Sequence, residues 1–250
     1  MNLRRQFSPD IHEMMDLAVL LDGKPSQELE KDLTNLQWLN RHFGAVSIMH
    51  RFLTRWFSTR RPGDSPLRIL DLATGDGDLP RELVLWCRKR GIKVMVDAVD
   101  ANEATLAVAK HRSRGFPEMT FHSGDIRTWG SGSWDLVLCS LALHHFSEED
   151  ALLVLKNVLR LSSQHVLVAD LERSLMGMLG IHLLTALILR EPMTVHDARL
   201  SIRRAFSLME FHELAAKAGW QGFGHARFPV TRQALWIDNV MDTGVPGQGF

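Results

Sequence analysis

The segment from Leu67 to Asp78 constrains the fold more than any other part of the chain. An apolar run, Leu67–Leu72, leads into a turn with two glycines, and a helical pattern begins at Asp78. Glycine suits Gly75 and Gly77 because the backbone can turn tightly there and approach a ligand with no Cβ in the way. The N-terminus of the next helix offers free N–H groups and a partial positive charge to an anion. The segment therefore predicts a strand, a turn and a helix that together form a ligand site.

An acidic residue ends the next strand-like run, Lys93–Asp100. Asp100 follows Gly77 by 23 positions (100 − 77), close to the spacing of about 20 at which nucleotide-binding folds place an acceptor for a ribose hydroxyl. The structural alternative is a glycine-rich turn followed by a solvated aspartate. NAD binding is less favoured because the third glycine of GxGxxG would fall at Pro80, and no GxxxxGK[ST] phosphate loop occurs.

Strand-like apolar runs alternate with helical patterns from residue 67 to residue 170, which predicts right-handed crossovers and a parallel sheet. The predicted strands are Leu67–Leu72, Lys93–Asp100, Met119–Phe121, Trp134–Leu141 and His165–Asp170, with a closing pair at Gly222–Pro229 and Ala234–Asp238. The predicted helices between and after them are Asp78–Arg90, with Asp78 as N-cap, Glu103–Arg112, Glu148–Leu161 and Leu208–Ala218. We therefore expect a doubly wound α/β fold with a mostly parallel, seven-stranded sheet.

Two helical additions lie outside this alternation. Residues 1–61 are predicted as a helical N-terminal cap, because Glu28–Phe43 and Ala45–Phe57 carry apolar residues at helical spacing. Residues 175–206 are predicted as a helical insertion before the last strands. The main domain is then 62–250, and we expect both additions to close over its ligand site.

The order of the motifs resembles the class I S-adenosylmethionine-dependent methyltransferases over about Leu67–Arg173. The family's first motif, an acidic residue followed by alternating small residues, matches Asp71, Ala73, Gly75 and Gly77, with alanine in place of the usual first glycine. The later motifs match Asp100 at the end of the second strand, Gly124-Asp125-Ile126, and Trp134–Phe146. The resemblance implies a Rossmann-like methyltransferase fold.

The same resemblance implies S-adenosylmethionine as cofactor and S-adenosylhomocysteine as its product. It implies that Asp125 accepts a hydrogen bond from the adenine amino group. The residues expected to bind the cofactor are Asp71, Ala73, Thr74, Gly75, Gly77, Asp100, Ala101, Asp125, Ile126 and Ser140.

Four further segments look like a bacterial small-molecule subgroup, similar to quinone-biosynthesis methyltransferases and often associated with polyketide-type products. They are Ile11–Asp16, Leu39–Arg41, Asp170–Ser174 and His196–Phe206. This implies methyl transfer to a small aromatic or polyketide-like molecule, with oxygen favoured as acceptor atom. The alternatives are methylation of a quinone ring carbon and a regulatory module that binds the cofactor without catalysis.

Three histidines are candidates for the base that removes a proton from the acceptor. His144 is predicted at the end of the fourth strand, at the edge where open α/β sheets bind ligands, with His145 beside it. His196 lies in the insertion; Asp197 follows it, but neighbours in sequence on a helix do not face each other. The chain has no tyrosine to compete for this role. Capping or packing is the structural alternative for each histidine.

The composition limits the kinds of partner and ligand that we expect this chain to bind. The 29 basic and 29 acidic residues give a formal net charge of zero, which argues against a nucleic-acid partner. No metal is expected, because the two cysteines form no CxxC pair and only Asp170 stands where a metal-binding carboxylate cluster would lie. The apolar run Leu175–Leu189 is too short for a membrane span. We expect a cytoplasmic protein with an apolar or aromatic small-molecule substrate, and a homo-oligomer is compatible with the sequence.

Overall fold

The computed structural model describes residues 4–8, 10–61, 64–187 and 191–240. The strands are β1 (Leu67–Leu72), β2 (Val94–Asp100), β3 (Met119–Ser123), β4 (Trp134–Ser140), β5 (Ser162–Leu171), β6 (Gly224–Phe228) and β7 (Arg232–Ile237). They form one sheet in the order β3-β2-β1-β4-β5-β7-β6, in which β7 alone runs antiparallel to both of its neighbours. The doubly wound, mostly parallel fold predicted from the sequence is confirmed.

The helices cover both faces of the sheet and its carboxyl edge. They are α1 (Gln27–His42), α2 (Ala45–Phe57), α3 (Asp78–Arg88), α4 (Glu103–Arg112), α5 (Glu148–Leu161), α6 (Leu175–Leu187), α7 (Pro192–Arg204) and α8 (Leu208–Lys217). The last two residues of the apolar run Leu175–Leu189, which is predicted as the first helix of the insertion, and the tail 242–250 lie outside the described residues. No helix in the described part of the chain is long and apolar enough to cross a membrane.

Alternate residues of β4 point into two separate cores. Val137 and Cys139 pack with α5 and α8 on one face, whereas Leu136 and Leu138 pack with α2 and α3 on the other. A sheet buried on both faces explains why its central strands are apolar at every position rather than at alternate ones. The helix α2, predicted as part of the cap, belongs to this core and does not lie over the carboxyl edge.

The segment before α1 corrects the prediction of a helical cap. Residues 10–26, which we call the N-terminal arm, contain no helix among their described positions. The arm is held by side chains from elsewhere. The Asp197 carboxylate accepts from the backbone N–H of Met14 and Met15 at 2.8 and 3.0 Å, and the Asn102 amide donates to three arm carbonyls. Long-range hydrogen bonds therefore satisfy backbone groups that a helix would have paired internally.

Two local assignments also differ from the prediction. Gly77, at φ 75°, is the N-cap of α3, and Asp78 is the first helical residue. The strand β4 ends at Ser140, so His144 lies in a single 3-10 turn, Leu143–His145, beyond the strand end.

Asn102 links helix capping to the position of the arm, and two substitutions separate these roles. Its Oδ1 accepts from Ala104 N and Thr105 N at the start of α4, while its Nδ2 donates to the arm. Asn102→Ala removes both sets of bonds, and we expect it to lower the free energy of unfolding by about 1–2 kcal/mol in urea titration. Asn102→Asp keeps the cap but cannot donate, so we expect faster hydrogen exchange at residues 13–18 with a smaller loss of stability. Equal exchange in wild type and Asn102→Asp would contradict this role in holding the arm.

Candidate functional site

A cavity of about 990 Å³ opens at the carboxyl edge of the parallel strands. The ends of β1, β2, β4 and β5 and the start of β7 form its floor. The arm, α1, α6 and α7 supply residues to its other walls. The two additions singled out from the sequence therefore both contribute to the cavity, although α2 does not.

The turn between β1 and α3 has the shape that its glycines predicted. Ala73, Gly75 and Gly77 have φ values of 60°, 58° and 75°. A Cβ built on Gly75 would meet no atom within 4 Å, so this part of the backbone is open to a ligand. A Cβ on Gly77 would lie 3.2 Å from the Phe121 ring, so this glycine is needed for close packing.

Asp100 holds this turn in place. Its Oδ2 accepts from Gly75 N at 2.8 Å, and its Oδ1 accepts from Asn102 N at 2.9 Å. Burial raises its pKa above the usual value, and these two backbone bonds act in the opposite direction. A carboxylate oxygen can accept more than one hydrogen bond, so Asp100 retains capacity for a ribose hydroxyl facing the cavity.

Buried carboxylates make this end of the cavity suitable for a cation. Burial and, to a lesser extent, the charges of Asp78 and Asp100 together raise the pKa of Asp71 to about 7. Burial likewise raises the pKa of Asp78 to about 6, with Asp76 adding to the effect. A positively charged ligand would relieve this repulsion. The open backbone at Gly75 and the acidic surroundings together fit a sulfonium nucleoside such as S-adenosylmethionine.

The other predicted cofactor residues lie at the same edge. Ala101, Ile126 and Ser140 line the cavity, as do Thr74 and Asp125. The Asp125 carboxylate is held by Arg127, whose Nη2 and Nε lie 2.6 and 3.0 Å from Oδ2, and this partner holds the pKa of Asp125 below its usual value. An adenine amino group would thus meet an ionised carboxylate of fixed orientation.

His144 is fixed by a buried carboxylate at the end of β5. Its Nδ1 lies 2.6 Å from Asp170 Oδ1, and its backbone N–H donates to Asp170 Oδ2 at 2.9 Å. Burial alone would raise the Asp170 pKa, but the charge and hydrogen bond of His144 hold it below its usual value. An ionised carboxylate only accepts, so Nδ1 carries a proton, and Nε2 is the ring nitrogen that does not contact Asp170. Both residues are almost fully buried, and His144 lines the cavity.

His145 has a different state from its neighbour. Its Nδ1 lies 3.0 Å from Asp16 Oδ2, and its ring centre is 4.4 Å from that of His144. Burial lowers its pKa, but Glu13 and Asp16 outweigh burial and raise the pKa to about 10. His145 is therefore an imidazolium at neutral pH, and it supplies a positive charge rather than a base.

Glu13, on the arm, joins the two histidines. Its Oε1 lies 3.7 Å from His144 Nε2 and accepts a hydrogen bond from Ser201 Oγ at 2.7 Å, and its Oε2 lies 3.8 Å from His145 Nε2. One ligand atom from each of the three residues lies within 4.8 Å of the others, the single group of this kind in the described part of the chain. The sequence did not reveal this arrangement, because Glu13 precedes the histidines by more than 130 positions.

His196 does not lie with His144 and His145, the other two candidates for the base. Its side chain is 49% exposed on α7 and is absent from the described lining of the cavity. Its Nδ1 lies 2.8 Å from Asp197 Oδ1, so the expectation that these helical neighbours would not meet is wrong. The Asp197 carboxylate thus contacts His196 as well as the backbone of the arm.

Comparison with known sequences identifies the central part of the chain. Residues 69–164 match the family model described as a methyltransferase domain. The non-reducing polyketide synthase tazA of Aspergillus terreus is 34% identical over 133 residues. This match covers 51% of the present chain and 5% of that protein, so the chain spans a small part of its relative's length.

Solved structures share the fold at low sequence identity. The plantazolicin methyltransferase BpumL, crystallised with a triazolic desmethylPZN analog and SAH, matches with a TM-score of 0.61 at 16% identity, over 86% of this chain and 92% of that one. The CMeT domain of the citrinin polyketide synthase matches with a TM-score of 0.59 at 13% identity, over 76% of this chain and 51% of that one. These likenesses extend the fold beyond residues 69–164.

Asp71 provides a test of the acidic end of the cavity. Its pKa is raised on folding, so the folded chain retains a proton between about pH 4 and 7 that the unfolded chain has lost, and stability falls as pH rises through this window. We expect Asp71→Asn to remove this penalty, so that its melting temperature exceeds that of wild type by more at pH 8 than at pH 5. We also expect about tenfold weaker binding of S-adenosylmethionine at pH 7 by calorimetry, since a charged partner is lost.

The matched control is Asp238→Asn, on the surface and paired with Arg55. It should leave the affinity for S-adenosylmethionine unchanged. Equal affinities in Asp71→Asn and wild type would contradict an electrostatic role for Asp71 toward a cationic ligand.

Proposed function

We propose that this chain, a class I S-adenosylmethionine-dependent methyltransferase, transfers the methyl group to a hydroxyl oxygen of a small, largely apolar acceptor. The observation that carries this proposal is the buried Asp170–His144 pair beside the acidic cofactor end of the cavity. When bound, the cofactor supplies a methyl group on a sulfonium sulfur, and the sulfur keeps the bonding electron pair as the methyl group leaves.

The Asp170–His144 pair makes the acceptor nucleophilic. With Nδ1 donating to Asp170, Nε2 is free to take the proton from the acceptor O–H. The proton then lies on Nε2, which faces the Glu13 carboxylate at 3.7 Å. Glu13 and Asp170 thus flank the imidazolium that forms, and each stabilises its charge.

His145 keeps this negative environment in balance. Two ionised carboxylates, Glu13 and Asp16, surround it, and its own positive charge compensates them. Without His145, these carboxylates would face His144 with no positive charge beside it to compensate them. His145 is therefore a positioning residue that leaves His144 available as base.

The cavity walls supply the remaining contribution. Apolar side chains from the sheet edge and from α6 line the cavity, among them Leu141, Leu171, Ile181 and Leu184. Such walls exclude water and hold an apolar acceptor close to the donor, and proximity of this kind can contribute roughly 7–11 kcal/mol to lowering the barrier. The cavity volume of about 990 Å³ accommodates a nucleoside and a second small molecule.

A second candidate is methylation at carbon. The sequence match to non-reducing polyketide synthases and the structural likeness to a CMeT domain favour it. The same His144 Nε2 would then remove a proton from a carbon between two carbonyl groups. Nuclear magnetic resonance of the product distinguishes the two, because an O-methyl and a C-methyl group differ widely in chemical shift.

Substitutions in the pair test the proposed base. We expect His144→Ala to lower turnover by about 10²–10⁴ and to leave the affinity for S-adenosylmethionine nearly unchanged. Asp170→Asn should lower turnover in the same range, because an amide in this position reverses the tautomer of His144 and places a proton on Nε2. Single-turnover methyl transfer and calorimetry would provide the two measurements.

The matched control is His212→Ala, an exposed histidine on α8 outside the described lining of the cavity. It should turn over at the wild-type rate. A loss of only a few-fold in both His144→Ala and Asp170→Asn would show that the acceptor reacts without a base from this pair.

A chelator tests whether Glu13, His144 and His145 act as a proton network or as metal ligands. On the proposed mechanism no metal ion is bound to His144 Nε2. We therefore expect treatment with EDTA to change turnover by less than about twofold, because it leaves the base unaltered. Loss of activity that Zn²⁺ or Mn²⁺ restores would instead assign the three residues to a metal ion and remove His144 from the role of base.

A further inference from the structure

Arg232, the first residue of β7, is a buried cation that faces the cavity. Its side chain is 6% exposed and belongs to the cavity lining. Nε donates to the Phe43 carbonyl at 3.1 Å. Within the described residues, neither Nη atom has a hydrogen-bond partner and no carboxylate lies within 4.0 Å of the guanidinium.

The other buried arginines all have hydrogen-bond partners on their Nη groups, which sets Arg232 apart. Arg81 pairs with Asp76, and Arg173 pairs with Glu210. Arg204 donates from Nη2 to the carbonyls of Ser8 and Ile11. A buried guanidinium without such partners carries a desolvation cost, and burial accordingly lowers the pKa of Arg232 to about 10, with Asp170 alone raising it. It remains charged at neutral pH and available to an anion.

Sheet topology places this cation on the acceptor side. Because β7 runs antiparallel to β5, its first residue lies at the carboxyl edge of the parallel strands, with Arg232 opposite Leu171 in the register. Leu171 directly follows Asp170, which holds His144. The acidic residues Asp71 and Asp100 belong to β1 and β2, on the other side of β4. The cavity thus has acidic residues on the proposed cofactor side and the positively charged Arg232 on the far side of His144.

We propose that the acceptor carries a carboxylate and that the guanidinium of Arg232 binds it. The inference rests on the proposed methyl transfer and names the class of its substrate, an apolar or aromatic acid. A planar guanidinium with two free Nη groups matches the two oxygens of a carboxylate. Anchored there, the acid is oriented with its apolar body against the cavity walls and its reacting group toward His144.

A pair of probes that differ only in the carboxylate tests this inference. The probes are 1-hydroxy-2-naphthoate and 1-naphthol, titrated by calorimetry into the full chain saturated with S-adenosylhomocysteine. We expect wild type to bind the acid at least about tenfold more tightly, as a charge-assisted, two-point contact requires. In Arg232→Gln this preference should shrink to within about twofold, while the affinity for S-adenosylhomocysteine is unchanged.

Arg227→Gln is the matched control, since Arg227 lies on β6 outside the cavity lining and pairs with Glu172. It should keep the full preference for the acid. Thermal unfolding provides a second measurement, because loss of a residue with a merely structural role would lower the melting temperature. Arg232→Gln removes a buried unpaired charge, so its melting temperature without acid should equal or exceed that of wild type.

The outcomes separate this inference from the proposed function. Failure to bind S-adenosylhomocysteine would overturn the methyltransferase proposal itself. If wild type binds S-adenosylhomocysteine but has equal affinity for 1-hydroxy-2-naphthoate and 1-naphthol, only the carboxylate site is overturned. If Arg232→Gln fails to fold, the comparison of the two probes in wild type still decides, because absence of a preference for the acid contradicts the proposal.

Discussion

The carboxylate of Asp170 is the constraint on which the candidate site depends. It lies at the end of β5, is 1% exposed, and accepts three hydrogen bonds, from the backbone and ring of His144 and from Leu171 N. These bonds tie the turn after β4 to the neighbouring strand. A buried carboxylate that is so fully hydrogen-bonded keeps its charge, and the same charge fixes the tautomer of His144. Structure and proposed chemistry therefore depend on one side chain.

The cavity separates its charges along the sheet. Carboxylates lie at the ends of β1 and β2, where a cationic cofactor would be held, and the guanidinium of Arg232 lies at the start of β7. His144 stands between them, after β4. A donor that bears a positive charge and an acceptor that bears a negative charge would then approach each other over the base, and the electrostatic field of the cavity would orient both.

The sequence was sufficient to predict the parts of the molecule that local pattern determines. Apolar runs and helical spacing predicted the sheet and its flanking helices, because the strands are buried on both faces. Gly75, Gly77 and Asp100 were found because a turn of this kind restricts both residue type and spacing. The cofactor side of the site was therefore accessible to sequence reasoning, although the binding roles of its residues stay predictions.

The acceptor side was less accessible, because its residues meet only through long-range contacts. Glu13 reaches the histidines because Asp197, on α7, holds the backbone of the arm. Nothing in the local sequence of the arm predicts this, and the helical spacing after residue 27 had extended the prediction of a helical cap over the arm. Arg232 shows the same limit, since its position at the carboxyl edge follows from the reversal of β7, which single-strand patterns do not encode. One usable signal was present for Asp170: an acidic residue that ends an apolar strand, next in the sheet to the strand that precedes two histidines.

The dependence of Glu13 on α7 gives the insertion a role beyond covering the cavity. Asp197 binds the arm at Met14 and Met15, and Ser201, one helical turn later on the same helix, donates to Glu13 itself. The carboxylate that would stabilise protonated His144 is thus positioned by an element that also forms a cavity wall. Movement of α7 would displace Glu13 and open the acceptor pocket together. In such an arrangement the base reaches its full electrostatic surroundings only when the pocket is closed, which links removal of the proton to exclusion of water.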